Sequence, residues 1–162
     1  MVPLDAGGST LKLKESGDKD KLGWKWGRGP EILLADFDDP TGSDDFTLCV
    51  YVASGGPASV LVSATAPAGD EWADLEQKGF RYKDGDRTPD GVSQVQLRPG
   101  AAGKAKLKAK AKGGNLGLGS LGFGGAASVT VQLRNSQGKC YGAVYSAPFK
   151  KDDAARFVDR SD

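Results

Sequence analysis

Apolar and polar side chains exchange places at every second residue along much of this chain, a period that suits strands and defeats helices. Thr10-Leu11-Lys12-Leu13-Lys14 alternates cleanly, with Leu11 and Leu13 on the buried face. Leu22-Gly23-Trp24-Lys25-Trp26 repeats the pattern with two indoles. In the segment 46–52, Phe46, Leu48, Val50 and Val52 share one face, and Cys49 and Tyr51 share the other. Apolar side chains on both faces predict a central strand. Val60 to Thr65 follows the turn signal Gly55-Gly56-Pro57, so the two runs read as a hairpin. Lys104 to Lys112 alternates Lys with Ala or Leu. A helix would scatter those five lysines, whereas a strand gathers them on one face and Ala105, Leu107, Ala109 and Ala111 on the other. Such a row reads first as a solvated face or as protection of a sheet edge.

The remaining segments are shorter. Ile32 to Ala35 is an apolar run that suits a strand buried on both faces, and only Glu71 to Lys78 has room for a short helix. Gly79 to Lys83 and Val92 to Arg98 read as strands. So do Ser128 to Arg134 and Lys139 to Ser146, joined by an Asn135–Gly138 turn. Asn115 to Gly125 is Gly-rich, yet Leu116, Leu118, Leu121 and Phe123 punctuate it, which predicts a loop anchored over the core mouth. The chain has 24 glycines in 162 residues, enough to turn repeatedly between short strands. These signals predict an all-β fold: an antiparallel β-sandwich of eight or nine strands, jelly-roll or immunoglobulin-like. Residues 1–16 read as an N-terminal arm with the first strand, 17–147 as the sandwich, and 148–162 as a charged tail, either one helical turn or disordered. Leu11 and Leu13, following the flexible Gly7-Gly8, would let the arm complete a neighbouring copy's sheet.

Charge and composition narrow the chemistry. With 22 basic and 21 acidic residues the net charge is +1, which removes whole-molecule steering toward nucleic acid. The chain has no histidine, so Ser-His-Asp and Cys-His nucleophile systems are excluded. Its two cysteines, Cys49 and Cys140, form no CxxC pair. A disulfide is the natural use of one pair, with two reduced core cysteines as the alternative. Closing a loop of about 90 residues would contribute on the order of 4–5 kcal/mol and would imply an oxidising compartment. No stretch approaches the roughly 20 apolar residues of a membrane span, so membrane insertion is not expected. Met1-Val2-Pro3-Leu4-Asp5 reads as a start residue on a mature sequence whose export signal is missing.

Two loops could hold a hard cation. Asp84, Asp86, Thr88 and Asp90 place oxygens at alternate positions, as a calcium loop does, but Pro89 takes the position that favours Gly and Val95 stands where a bidentate Glu belongs. The other reading is a polar double turn. Asp36 to Asp45 crowds five carboxylates into ten residues, with Asp36 and Asp38 as the leading ligands for Ca2+; a solvated loop is again the alternative. Nothing places two carboxylates across a cleft as glycoside hydrolysis requires. Trp24 and Trp26 share a strand face that reads mainly as core, while Trp72, in a polar segment, is the better candidate for an exposed sugar-stacking contact.

Larger motifs carry a resemblance. They are Asp36-Phe37-Asp38-Asp39-Pro40-Thr41 with Phe46-Thr47-Leu48-Cys49-Val50-Tyr51, Lys78-Gly79-Phe80-Arg81-Tyr82-Lys83-Asp84 with Thr88-Pro89-Asp90-Gly91-Val92, Gly100-Ala101-Ala102-Gly103-Lys104-Ala105-Lys106-Leu107, and Val129-Thr130-Val131-Gln132-Leu133-Arg134-Asn135-Ser136 with Cys140-Tyr141. The pattern resembles an uncharacterised β-rich domain found at the ends of exported proteins of myxobacteria and other deltaproteobacteria, over about Leu11 to Ser146. The resemblance implies export and a paired cysteine and transfers no catalytic residue. The segment at Trp72, where such domains often carry further cysteines, has none.

The expected role is therefore non-catalytic: a secreted or cell-surface structural or adhesive module, able to self-assemble by strand exchange through its arm. Its partners would be other copies of itself or surface proteins. The alternative is a carbohydrate-binding module, supported by calcium, that takes a polysaccharide. A nucleic-acid partner is not expected.

Overall fold

A computed structural model describes residues 7–162, and the first six residues of the expected arm lie outside that range. Twelve strands form two antiparallel sheets. The larger sheet contains β1 (Ser9–Lys14), β2 (Lys21–Gly27), β5 (Trp72–Asp74), β6 (Phe80–Lys83), β7 (Val92–Arg98), β8 (Lys106–Lys112), β11 (Lys151–Asp152) and β12 (Arg156–Arg160). Its strand order is β11-β12-β1-β2-β8-β7-β6-β5. The smaller sheet contains β3 (Phe46–Ala53), β4 (Ser59–Ala66), β9 (Ser128–Asn135) and β10 (Cys140–Ser146) in the order β10-β9-β3-β4. The inner faces of both sheets belong to one buried apolar cluster, so the fold is sandwich-like. Among the described residues no helix is long and apolar enough to cross a membrane.

Cross-strand pairing shows why β8 holds. Alanine and lysine are poor strand formers. Yet β8 lies between β2 and β7, and its small residues oppose large ones: Ala109 faces Trp24, and Ala111 faces Leu22. Small against large fills the layer without voids. Trp24 and Trp26 are both buried, and the Trp26 indole N–H donates across the core to the Gly142 carbonyl at 3.1 Å. The hairpins expected for β3–β4 and β9–β10 form, and β3 is flanked on both sides. The loop at 115–125 lies on the core through buried Leu116 and Leu121, with Leu118 and Phe123 packed beside them.

Several expectations are corrected. Leu11 and Leu13 belong to an internal strand, with β1 paired to β12 on one side and β2 on the other, so this part of the arm is already docked in its own sheet. Residues 148–162 are not a loose tail: they supply β11 and β12, and Phe157 is fully buried between Phe123 and Phe149, with ring centroids 5.4 and 5.1 Å away. Ile32 makes only an isolated bridge to Gly100, Leu34–Phe37 is a 3-10 turn, and Leu33 is exposed. Glu71 to Lys78 yields β5 and a 3-10 turn at Glu76–Lys78.

The disulfide is absent: Cys49 and Cys140 are free thiols. They stand on β3 and β10, which flank β9, and their partners on β9 are two residues apart, Gln132 and Arg134. Two strand spacings combined with that two-residue offset put the Cα atoms roughly 11–12 Å apart, beyond the roughly 7 Å that a disulfide spans. The argument for an oxidising compartment loses this support. Burial pushes the Cys140 thiol up from its ordinary value. Protein unfolded without reductant should titrate two thiols, and reductant should leave Tm unchanged. A Tm that falls with reductant would restore the bridge.

Candidate functional site: a basic sheet face

The period that buries Leu11, Leu13, Leu22, Trp24, Leu107, Ala109 and Ala111 turns their neighbours outward on the larger sheet. The strand registers join those neighbours into rows across the sheet. One row runs Arg160, Thr10, Lys25, Lys108, Gln96, Arg81. The next runs Lys151, Val158, Lys12, Gly23, Lys110, Gln94, Lys83. A third joins Arg156, Lys14, Lys21 and Lys112, and at the other end Lys106 stands between Gly27 and Arg98. These rows hold fourteen of the chain's 22 basic residues and no carboxylate.

Most of the described carboxylates sit elsewhere, in loops and turns; Asp74, Asp152 and Asp159 stand on β5, β11 and β12 of this sheet but outside these rows. Two ion pairs form among the described residues, Lys139–Asp36 and Lys151–Asp153, each at 3.6 Å. Of the fourteen cations only Lys151 is thus paired with a carboxylate. The crowding has an electrostatic signature: the Lys110 ammonium, then partial burial, then Lys25 hold the Lys108 amine below its ordinary value.

The face is not flat. A hollow of about 500 Å³ is lined by Thr10, Lys12, Gly23, Lys25, Lys108 and Lys110, with Lys150, Val158 and Arg160 at one wall and the core-facing Trp24 and Ala109, both buried, also bordering it. A second, of about 580 Å³, adjoins it, shares Lys12, Gly23, Lys110 and Val158, and continues to Lys14, Lys21, Lys112 and Arg156. Together they form a trough along β2 with Gly23 at its midpoint. Such a trough can hold anionic groups by charge and by ammonium hydrogen bonds. None of the outward positions in its rows is aromatic.

The residues singled out from sequence as ligands are placed otherwise. Trp72, expected at the surface, is buried: its ring lies 5.4 Å from Phe46 and 5.3 Å from Tyr82, and its indole N–H donates to the Pro67 carbonyl at 2.9 Å. Polar neighbours disguised it, because β5 turns only one residue inward. Trp24 and Trp26 face the core and offer no ligand strip.

Apart from the exposed Asp86, the carboxylates of both acidic loops accept hydrogen bonds from the protein's own donors. Asp84 accepts from the backbone N–H of Asp86 and of Thr88, both at 2.8 Å, and Asp90 accepts from the Thr65 N–H at 2.9 Å. Asp36 accepts from the Leu33 N–H, and Asp38 from the Asn135 amide at 2.7 Å. Asp44 accepts from the Asp39 N–H and the Gln137 amide, pinning the loop to the β9–β10 turn. Among the described residues no three Asp, Glu or Cys side chains converge as a metal site would need.

Burial alone would raise the Asp84 carboxyl, but the N–H groups of Thr88, Asp86 and Arg87 and the Tyr82 hydroxyl outweigh it and hold it below its ordinary value. In turn burial, with the Asp84 charge beside it, pushes the Tyr82 phenol up to about 12. A depressed carboxyl stabilises the fold above its unfolded pKa of about 3.9, and that contribution is lost as pH falls through the folded value. Asp84→Asn should therefore lower Tm at pH 7 and flatten the acid limb below about pH 4. An unchanged limb would show that the loop does not depend on this carboxylate.

The sequence reading found the lysines of β8 but not the site. The rows from β1, β2, β7 and β12 join them only once strand order is known. The chain matches no known protein-family model, no curated protein and no solved structure.

Proposed function

We propose that this chain is a non-catalytic adhesion module that holds an anionic polymer against the outer face of its larger sheet. One observation carries the reading: a chain of net charge +1 gathers fourteen cations on one face, with no carboxylate in their rows. Like charges side by side destabilise a sheet, so the arrangement is a cost to the fold that a polyanion would offset. The face is exposed, and among the described residues no His, Cys, Asp or Glu side chains gather as a metal site would need, which favours binding over catalysis. The division into eight and four strands follows neither the jelly-roll nor the immunoglobulin order, so the scaffold adds no fold-level analogy. Export and a cell-surface location rest on the family resemblance alone. Self-assembly through Leu11 and Leu13 would require β1 to leave both its partners, and no observation favours it.

The test is retention on immobilised dextran sulfate. The protein should bind at about 50 mM salt and elute as salt rises and screening shortens the reach of each charge. Neutral dextran should not retain it, and EDTA should change nothing. Flow-through on dextran sulfate at low salt would end the reading.

A further inference from the structure

Glycine in a strand interior weakens it, and its presence there calls for a reason. At Gly79, just before β6, the fold supplies a reason for glycine: φ is +103°, and a Cβ would collide with the Leu97 carbonyl oxygen. Gly23 has no such reason. Its φ lies outside the left-handed region, and a Cβ would meet nothing within 4 Å. It occupies an outward position at the centre of an internal strand, between Lys12 and Lys110, where both hollows of the basic trough meet. The missing side chain keeps the floor of that trough open.

We infer that an acidic polysaccharide lies lengthwise along β2, its backbone passing over Gly23 and its anionic groups held by tiers of cations on either side. This deepens the anionic-polymer reading and depends on it. Three tiers mark the path: Lys12 and Lys110 flank Gly23 from β1 and β8, while at the two ends Lys25 on β2 stands beside Lys108, and Lys21 on β2 stands between Lys14 and Lys112. Successive outward positions on a strand are about 6.8 Å apart, so the tiers offer a repeating ladder to a linear, repeating anion.

The neighbouring chemistry selects the class. Single-stranded nucleic acid is held by bases stacked on aromatic rings, and no outward position in these rows is aromatic. A bilayer would meet a hollow rather than a flat or apolar surface; the exposed large apolar residues, Leu33 and Val60, belong to neither the rows nor the trough. Gln94 and Gln96 extend the lysine rows of β8 with neutral amides, which both donate and accept and so suit sugar hydroxyls.

Gly23→Ile tests the path without altering charge, since a β-branched residue suits a strand. Binding of the full chain to polygalacturonate, dextran sulfate, a thymidine oligonucleotide and phosphatidylglycerol vesicles is measured for wild type and variant, with Tm as the control for folding. The expected result is tightest wild-type binding to the polysaccharides, a loss of at least about tenfold in the variant, and a Tm equal or higher. Equal polysaccharide binding by Gly23→Ile overturns the path over the floor while leaving the charged face as a polyanion binder. Tighter binding of the oligonucleotide or the vesicles overturns the ligand class. No binding to any of the four removes the underlying function as well. If Gly23→Ile lowers Tm, Gly23→Ala replaces it, and equal binding by that variant likewise overturns the path.

Discussion

Reversing two charges, Lys108→Glu with Lys110→Glu, should abolish retention on dextran sulfate at about 150 mM salt and leave the fold intact. Both lysines point outward from β8, and neither makes an ion pair among the described residues. A cation close to a dense anionic surface contributes about 1 kcal/mol, and reversal replaces that attraction with repulsion. Affinity should fall on the order of 10²–10³-fold. The dependence of binding on salt should flatten too, because fewer counterions are released from the polymer. Folding should tolerate the change, since the substitutions place two carboxylates among the cations of β2, β7 and β8 and remove the Lys108–Lys110 repulsion that holds the Lys108 amine down in the unsubstituted chain. The measurement is a titration across several salt concentrations beside a thermal melt. Unchanged affinity with an unchanged melt would show that the polyanion binds elsewhere.

The largest effect on stability should come from Trp26→Ala, which should cost about 3–5 kcal/mol in denaturant unfolding. Trp26 is buried, sits edge-on to Tyr141 with ring centroids 6.1 Å apart, and donates to the Gly142 carbonyl on the opposing sheet. Truncation opens a large cavity between the sheets and leaves that carbonyl without this donor. Trp26→Phe should cost less, because most of the apolar volume remains. A loss below about 1 kcal/mol for the alanine variant would mean that the two sheets do not depend on this indole.

Local pattern made much of the scaffold legible. The alternation at Leu11 and Leu13, at Trp24 and Trp26, and along Lys106–Lys112 assigns each side chain to a face, and the structure keeps those assignments. Other signals were ambiguous. The spacing of Asp84, Asp86 and Asp90 suits a calcium loop and a self-bonded turn alike, and only the N–H groups that reach the carboxylates separate the two. In Arg156–Arg160 the apolar residues Phe157 and Val158 are adjacent and do not alternate with charge, so the pattern does not announce a strand. What makes Phe157 core is the pair of rings that Phe123 and Phe149 bring from distant segments. The cysteines looked paired because nothing in their spacing reveals that a strand lies between them.

The division follows from the reach of each force. Pleating is local, with a period of two, so the order of residues is enough to say that lysines would line one side of β8 and alanines the other. Hydrophobic burial has no direction and does not choose which strand lies beside which. Strand order does that, through pairings between segments as distant as β1 and β12 or β2 and β8. Lysines from separate stretches of a nearly neutral chain thus become one cationic surface, tolerable because water screens it and open at Gly23.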